Sequence, residues 1–169
     1  MWILWGTMAL AWEAEKHIQV EDQDIVLKYI PGGEFMMGCS TGACVEDEKP
    51  AHLVQIKQGF YMMEAEVTQA FFRSVTQRSP ATFSKCGENC PVEQVTWDET
   101  MIFAAEVSRR TGVHWRLPTE AEWELAARGQ EETLYAGGNL AEMVGWYAEN
   151  SLATTHPVKG KTPNHFGLY

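Results

Sequence analysis

Four of the 169 residues are cysteines, and they fall in two close pairs, Cys39 with Cys44 and Cys86 with Cys90. Four cysteines allow three disulfide connectivities. Two local bridges would each close a short loop, stabilise the fold by about 2 to 3 kcal/mol and place the chain in an oxidising compartment. A four-cysteine zinc site is the rival reading, although neither pair has the short gap of a zinc knuckle. Buried free thiols are the third. A reactive thiolate needs a pKa lowered by spatial neighbours, so spacing alone assigns no catalytic residue and no cofactor-binding residue.

The five histidines, His17, His52, His114, His156 and His165, show no i, i+4 pair and no His-x-His spacing. They read as surface or core side chains rather than as metal ligands. No phosphate loop, dinucleotide fingerprint or Gly-x-Ser-x-Gly elbow occurs. Glu120, Glu122 and Glu124 make a carboxylate cluster. Helix capping, the helix dipole and ion pairing account for all three without catalysis.

The elements that must position these groups are punctuated in the sequence. In Arg116-Leu117-Pro118-Thr119-Glu120-Ala121-Glu122-Trp123-Glu124-Leu125-Ala126-Ala127-Arg128-Gly129, Pro118 keeps its predecessor extended, and Thr119 with Glu122 forms a capping box. The spacing predicts a helix from Glu120 that Gly129 stops, with Trp123, Ala126 and Ala127 as its apolar stripe. Thr96 and Glu99 form a second box, opening a helix with Ile102, Phe103 and Val107 inward and Gly112 at its end. Thr68 caps a third through Gln77, with Ala70, Phe71 and Val75 facing the core and Pro80 beyond it. Ile25 to Ile30 and Phe35 to Gly38 are expected to form an opening hairpin across Pro31-Gly32-Gly33, and His52 to Met62 one half-buried strand. Glu46-Asp47-Glu48-Lys49-Pro50 reads as a solvated turn.

At 45% apolar and 11% aromatic residues, the chain suits one domain with a real core. A net charge of -10 repels polyphosphate, which argues against nucleic acid as a partner. No apolar run approaches the roughly 18 residues of a transmembrane span. Trp2 to Met8 is a short apolar stretch before Ala9-Leu10-Ala11, a small-x-small pattern. Residues 1–24 are therefore read as an N-terminal segment, either a clipped signal peptide with a linker or an apolar segment packed on the core.

The helix cassette from Arg116 is also distinctive in wording. With Glu66-Val67-Thr68, the block from Cys90 to Glu99, His156-Pro157-Val158 and Pro163 to Tyr169, it resembles the sulfatase-modifying-factor family, the formylglycine-generating enzymes and their relatives. The resemblance runs from Ile25 to Tyr169. It implies an α+β domain at 25–169, a C-type-lectin-like variant low in regular secondary structure and packed by tryptophans, here Trp97, Trp115, Trp123 and Trp146. It also implies truncation, with the C-terminal core and the catalytic cysteine pair missing.

In the family that pair holds copper(I) and oxidises a cysteine in a sulfatase's Cys-x-Pro-x-Arg segment to formylglycine. On this reading the copper site is absent and the chain is a scaffold without a catalytic centre. One of the family's calcium sites matches Asn139, Leu140, Asn150 and Leu152, which would supply the oxygen ligands calcium prefers, with low affinity because both asparagines are neutral. Two functions stay open: a fragment of a cysteine-oxidising enzyme, with a sulfatase-like protein partner, or a non-catalytic module that binds a protein or peptide ligand. Both place the chain in the periplasm or outside the cell.

Overall fold

The structure, a computed structural model, describes residues 13–39 and 44–169. Its class is α+β. Three antiparallel strands, β1 (Glu15–Val20), β2 (Gln23–Ile30) and β5 (Phe60–Met63), form one sheet in the order β1-β2-β5. A second sheet pairs β3 (Gly33–Met37) with β4 (His52–Ile56). The helices are α1 (Gln69–Thr76), α2 (Trp97–Thr111), α3 (Glu120–Arg128) and the single turn α4 (Ala141–Val144).

The opening hairpin expected between β2 and β3 does not form. Pro31 has no N–H for a ladder, and Gly32 lies so close to the end of β4 that a Cβ there would meet the Ile56 carbonyl oxygen at 2.7 Å. The chain therefore leaves one sheet and enters the other. The single strand expected over His52 to Met62 is likewise two, broken at Gly59. A Cβ on Gly59 would fall 2.2 Å from the Tyr29 hydroxyl, so only glycine lets the Tyr29 ring cross this turn. β1 occupies residues set aside as part of the 1–24 segment, in register with β2 from Glu15 opposite Lys28 to Val20 opposite Gln23. The signal-peptide reading of Trp2 to Ala11 lies outside the described residues.

The three longer helices begin where their caps predict. Thr68, Thr96 and Thr119 accept hydrogen bonds from Phe71, Glu99 and Glu122 N–H groups, and Gly112 and Gly129 end α2 and α3 in the left-handed conformation. Proline does not end α1; Gln77 does, at φ 59°.

One core packs Val20, Ile25 and Leu27 of the large sheet against Phe71, Phe72 and Val75 of α1 and Phe103 and Val107 of α2. Ile102, expected inward, faces solvent, because Ala104 and Val107 complete the stripe that begins at Phe103. The tryptophans are not uniform core anchors either. Trp115 packs against the first core, whereas Trp97, Trp123 and Trp146 are exposed.

A second core gathers Ile30, Leu125, Ala126 and Leu168. Buried Asn164 locks the last residues onto it. Its side-chain amide donates to the Ala126 and Ala127 carbonyls at 2.7 and 3.1 Å, and its oxygen accepts from the Phe166 and Leu168 N–H groups. The last residues of the chain thus take part in this second core.

Candidate functional site

The loop between β3 and β4 carries the first cysteine pair. Gly38 turns the chain at φ 89°, in a space where a Cβ would meet the Glu48 carbonyl oxygen at 2.5 Å. The Cys39 N–H donates to that same carbonyl at 2.8 Å. Cys39 and Cys44 are joined by a disulfide with Cα atoms 5.8 Å apart. The acidic stretch Glu46–Glu48, read as a solvated turn, is a 3-10 turn. The Glu48 carboxylate accepts from the Val45 N–H at 3.1 Å.

Helix α3 fixes this loop from the other side. The Gly38 N–H donates to Glu124 Oε1 at 2.9 Å, and Arg128 donates to the Gly38 carbonyl at 2.9 Å. Arg128 also pairs with Glu124 at 2.5 Å. One i, i+4 ion pair therefore holds both polar groups of the residue before Cys39.

Cys39, Cys44 and Glu48 bring their ligand atoms within 4.8 Å of one another. This corrects the expectation of a scaffold without a catalytic-type centre, and of an absent cysteine pair: a cysteine pair with a neighbouring carboxylate is present. Sequence reasoning missed it because Glu48 contributes through a turn, although the Cys-x-x-x-x-Cys-x-x-x-Glu spacing was there to be read. Oxidised, the pair is a two-electron couple. Reduced, it offers two sulfur ligands and one oxygen, a set capable of coordinating a metal ion.

Beside the pair lies a cleft of about 630 Å³ between the disulfide loop and the start of α3. Val45 and Pro50 line it on one side, Leu117, Pro118 and Trp123 on the other. Trp123, expected in the core, is here 62% exposed. Its spacing from Glu120 and Glu124, i, i+3 and i+4, puts the three on one helix face.

The cleft wall is anchored by Glu122. It accepts two hydrogen bonds from Arg116 at 2.6 and 2.7 Å and one from the Thr119 N–H at 2.8 Å. The Arg116 guanidinium, aided by the Thr119 amide, holds the Glu122 carboxyl down at about 2.

The other predicted residues lie elsewhere. Cys86 and Cys90 form a second disulfide, Cα atoms 6.0 Å apart, with Cys90 fully buried. The Cys90 carbonyl accepts from the Gln69 N–H, so this bridge staples the start of α1. The Asn139 side-chain oxygen accepts from the Leu134 N–H and that of Asn150 from the Tyr147 N–H, both at 2.8 Å. The Leu140 carbonyl accepts from the Met143 N–H, and Leu152 is left-handed at φ 54°. Each of these three engaged oxygens keeps a second lone pair for a cation. Of the histidines, His52 alone lines the cleft, and none joins the cysteine cluster among the described residues. No helix among the described residues is long and apolar enough to cross a membrane.

Comparison with known proteins corrects two expectations. The chain is 27% identical to "Chaperone protein LppX" of Paenibacillus barcinonensis, over 65% of this chain and 58% of that protein. It is 28% identical to a formylglycine-generating enzyme of Streptomyces coelicolor, over 83% of this chain and 63% of the enzyme. The chain thus spans about three fifths of the length of these relatives. The solved structure of Treponema denticola variable protein 1 superposes with a TM-score of 0.82 at 25% identity, covering 93% of this chain and 73% of that one.

The model of the "Sulfatase-modifying factor enzyme 1-like domain" matches residues 13–169. Because the match starts before Ile25 and runs through both cores, the expectation of a resemblance confined to Ile25–Tyr169 does not stand. Nor does the C-type-lectin-like assignment, since the matching family is the sulfatase-modifying one. On these grounds the chain belongs to the sulfatase-modifying-factor family, as a domain of the enzyme 1-like type.

Proposed function

We propose that this domain carries out two-electron sulfur chemistry on a protein or peptide segment, with Cys39 and Cys44 as the reacting pair and Glu48 beside them. The observation that carries this reading is the approach of the three groups within 4.8 Å of one another at the edge of a cleft. In the exchange, a substrate thiolate attacks one sulfur of the Cys39–Cys44 bond and that bond breaks. A second substrate thiol then resolves the mixed disulfide. Two electrons and two protons pass to the pair, and a disulfide is left on the substrate. Cys86–Cys90 is less suited to this role, because Cys90 is fully buried and Cys86 alone is partly accessible, and no carboxylate joins the two sulfurs in a cluster among the described residues.

The reduced pair also fits a metal. Cys39 and Cys44 would give soft thiolates, which suit copper(I), and Glu48 a carboxylate. When bound there, copper would supply the oxygen activation that the family resemblance implies. The two disulfides support a periplasmic or secreted setting.

Partial reduction followed by alkylation and peptide mapping tests the reading. Cys39 and Cys44 are expected to be alkylated first, and the reduced protein to take up one copper(I) in competition with a chelator. Cys39→Ser is expected to abolish that uptake. Equal or slower reduction of Cys39–Cys44 relative to Cys86–Cys90 would count against the proposal.

Calcium at Asn139, Leu140, Asn150 and Leu152 is a separate part of the proposal. The lone pairs left on their oxygens support it. Its expected signature is a Tm raised by calcium and not by magnesium, lost in Asn139→Ala. An unchanged Tm removes it.

A further inference from the structure

We propose that the cleft beside the cysteine pair selects a cationic segment, with one lysine or arginine side chain lying over Trp123 between Asp47 and Glu120. The cleft's purpose rests on the proposed function; its binding chemistry does not involve the thiols. Trp123 presents an indole 62% exposed to solvent inside a concave site. A cation over such a face is attracted by the negative face of the ring.

The lining decides the sign of the ligand's charge. Four carboxylates face the cleft, Asp47, Glu48, Glu120 and Glu124, against Lys49 and His52. Glu48 is engaged by the Val45 N–H, and Glu124 by the Gly38 N–H and Arg128. Lys49 is neutralised by Glu46 at 2.9 Å, and His52 bonds the Pro50 carbonyl. Asp47 and Glu120 are left as carboxylates without an ion pair among the described residues. The uncompensated charge is therefore negative, in a molecule whose net charge is already -10. Leu117 and Pro118 add apolar surface for the aliphatic stem of a lysine or arginine. A neutral or anionic segment would gain neither the cation–π contact nor the carboxylates.

Calorimetric titration of the oxidised protein, without reductant, with hexalysine and hexaglutamate tests the proposal. Hexalysine is expected to bind and hexaglutamate not to. Trp123→Ala and the pair Asp47→Asn with Glu120→Gln are each expected to weaken hexalysine about tenfold. Trp123→Phe should retain most of the affinity. Glu149→Gln, an exposed carboxylate outside the cleft, controls for overall charge and should leave it unchanged. Equal weakening in Glu149→Gln would mean diffuse attraction only and would overturn the proposal, as would an unaffected Trp123→Ala. Because the pair stays oxidised throughout, a failure here leaves the sulfur chemistry standing. A failed reduction or copper experiment leaves this binding result standing.

Discussion

Glu122 serves two neighbours at once. It closes the capping box of α3 with Thr119, and it neutralises Arg116 in a two-pronged contact. Its folded-state pKa of about 2 lies below the ordinary 4.5. A carboxyl shifted in that direction contributes stability that is fully present above 4.5 and is lost as pH falls toward 2. Glu122→Gln should therefore lower stability by about 1 kcal/mol at pH 7, the ion pair with Arg116 being lost while glutamine can still close the capping box, discounted because Arg116 is 44% exposed. The difference from the parent should shrink as pH drops through this window, measured by denaturant melts at each pH. A constant difference across it would mean that the cap acts through geometry and not through charge. The capping half of this role was legible, because Thr119 and Glu122 are sequence neighbours. Trp123 was misread, because an apolar residue on a helix shows its period but not which face the rest of the fold leaves open.

Helices and sheets differ in how much of themselves they write locally. α1, α2 and α3 each begin at a threonine that caps its own first turn, and α2 and α3 end at a glycine, so their limits need no distant information. The strands need partners. β2 was readable as extended, yet nothing near it says that β1 and β5 flank it while β3 pairs with β4. The breaks at Gly32 and Gly59 depend on what lies against them, the Ile56 carbonyl and the Tyr29 ring. The site follows the same division. Cys39 and Cys44 announce a local loop by spacing alone, whereas the clamp on Gly38 comes from Glu124 and Arg128, some 86 and 90 residues away. Glu124 was seen only as one of a helical trio. Its partner at Gly38 belongs to tertiary structure.

At the scale of the whole molecule, the two cores are joined through β2, which gives Ile25 and Leu27 to one and Ile30 to the other. The second core also carries the site, because Leu125 and Ala126 lie on the helix whose Glu124 and Arg128 hold the cysteine loop. Asn164 is the polar centre of that core. It satisfies the last carbonyls of α3, which have no partner within the helix, and it closes the C-terminal turn with the same side chain. Asn164→Ala should then cost about 2 to 4 kcal/mol, since buried backbone groups on both sides lose their partner. That is a large share of the roughly 5 to 15 kcal/mol that holds a domain together. Asn164→Asp should also be costly, because a carboxylate cannot donate to the Ala126 and Ala127 carbonyls. Leu168→Ala, a cavity in the same core, should cost about 2 to 5 kcal/mol. Urea unfolding of each variant, followed by far-ultraviolet dichroism and by alkylation of Cys39 and Cys44 after reduction, reads the fold and the site together. If the C-terminal turn belongs to one cooperative unit with the cysteine loop, both signals shift to lower urea in step. An alkylation midpoint that stays at the parent's value while the dichroism shifts would show that the loop and α3 hold together without the core beneath them.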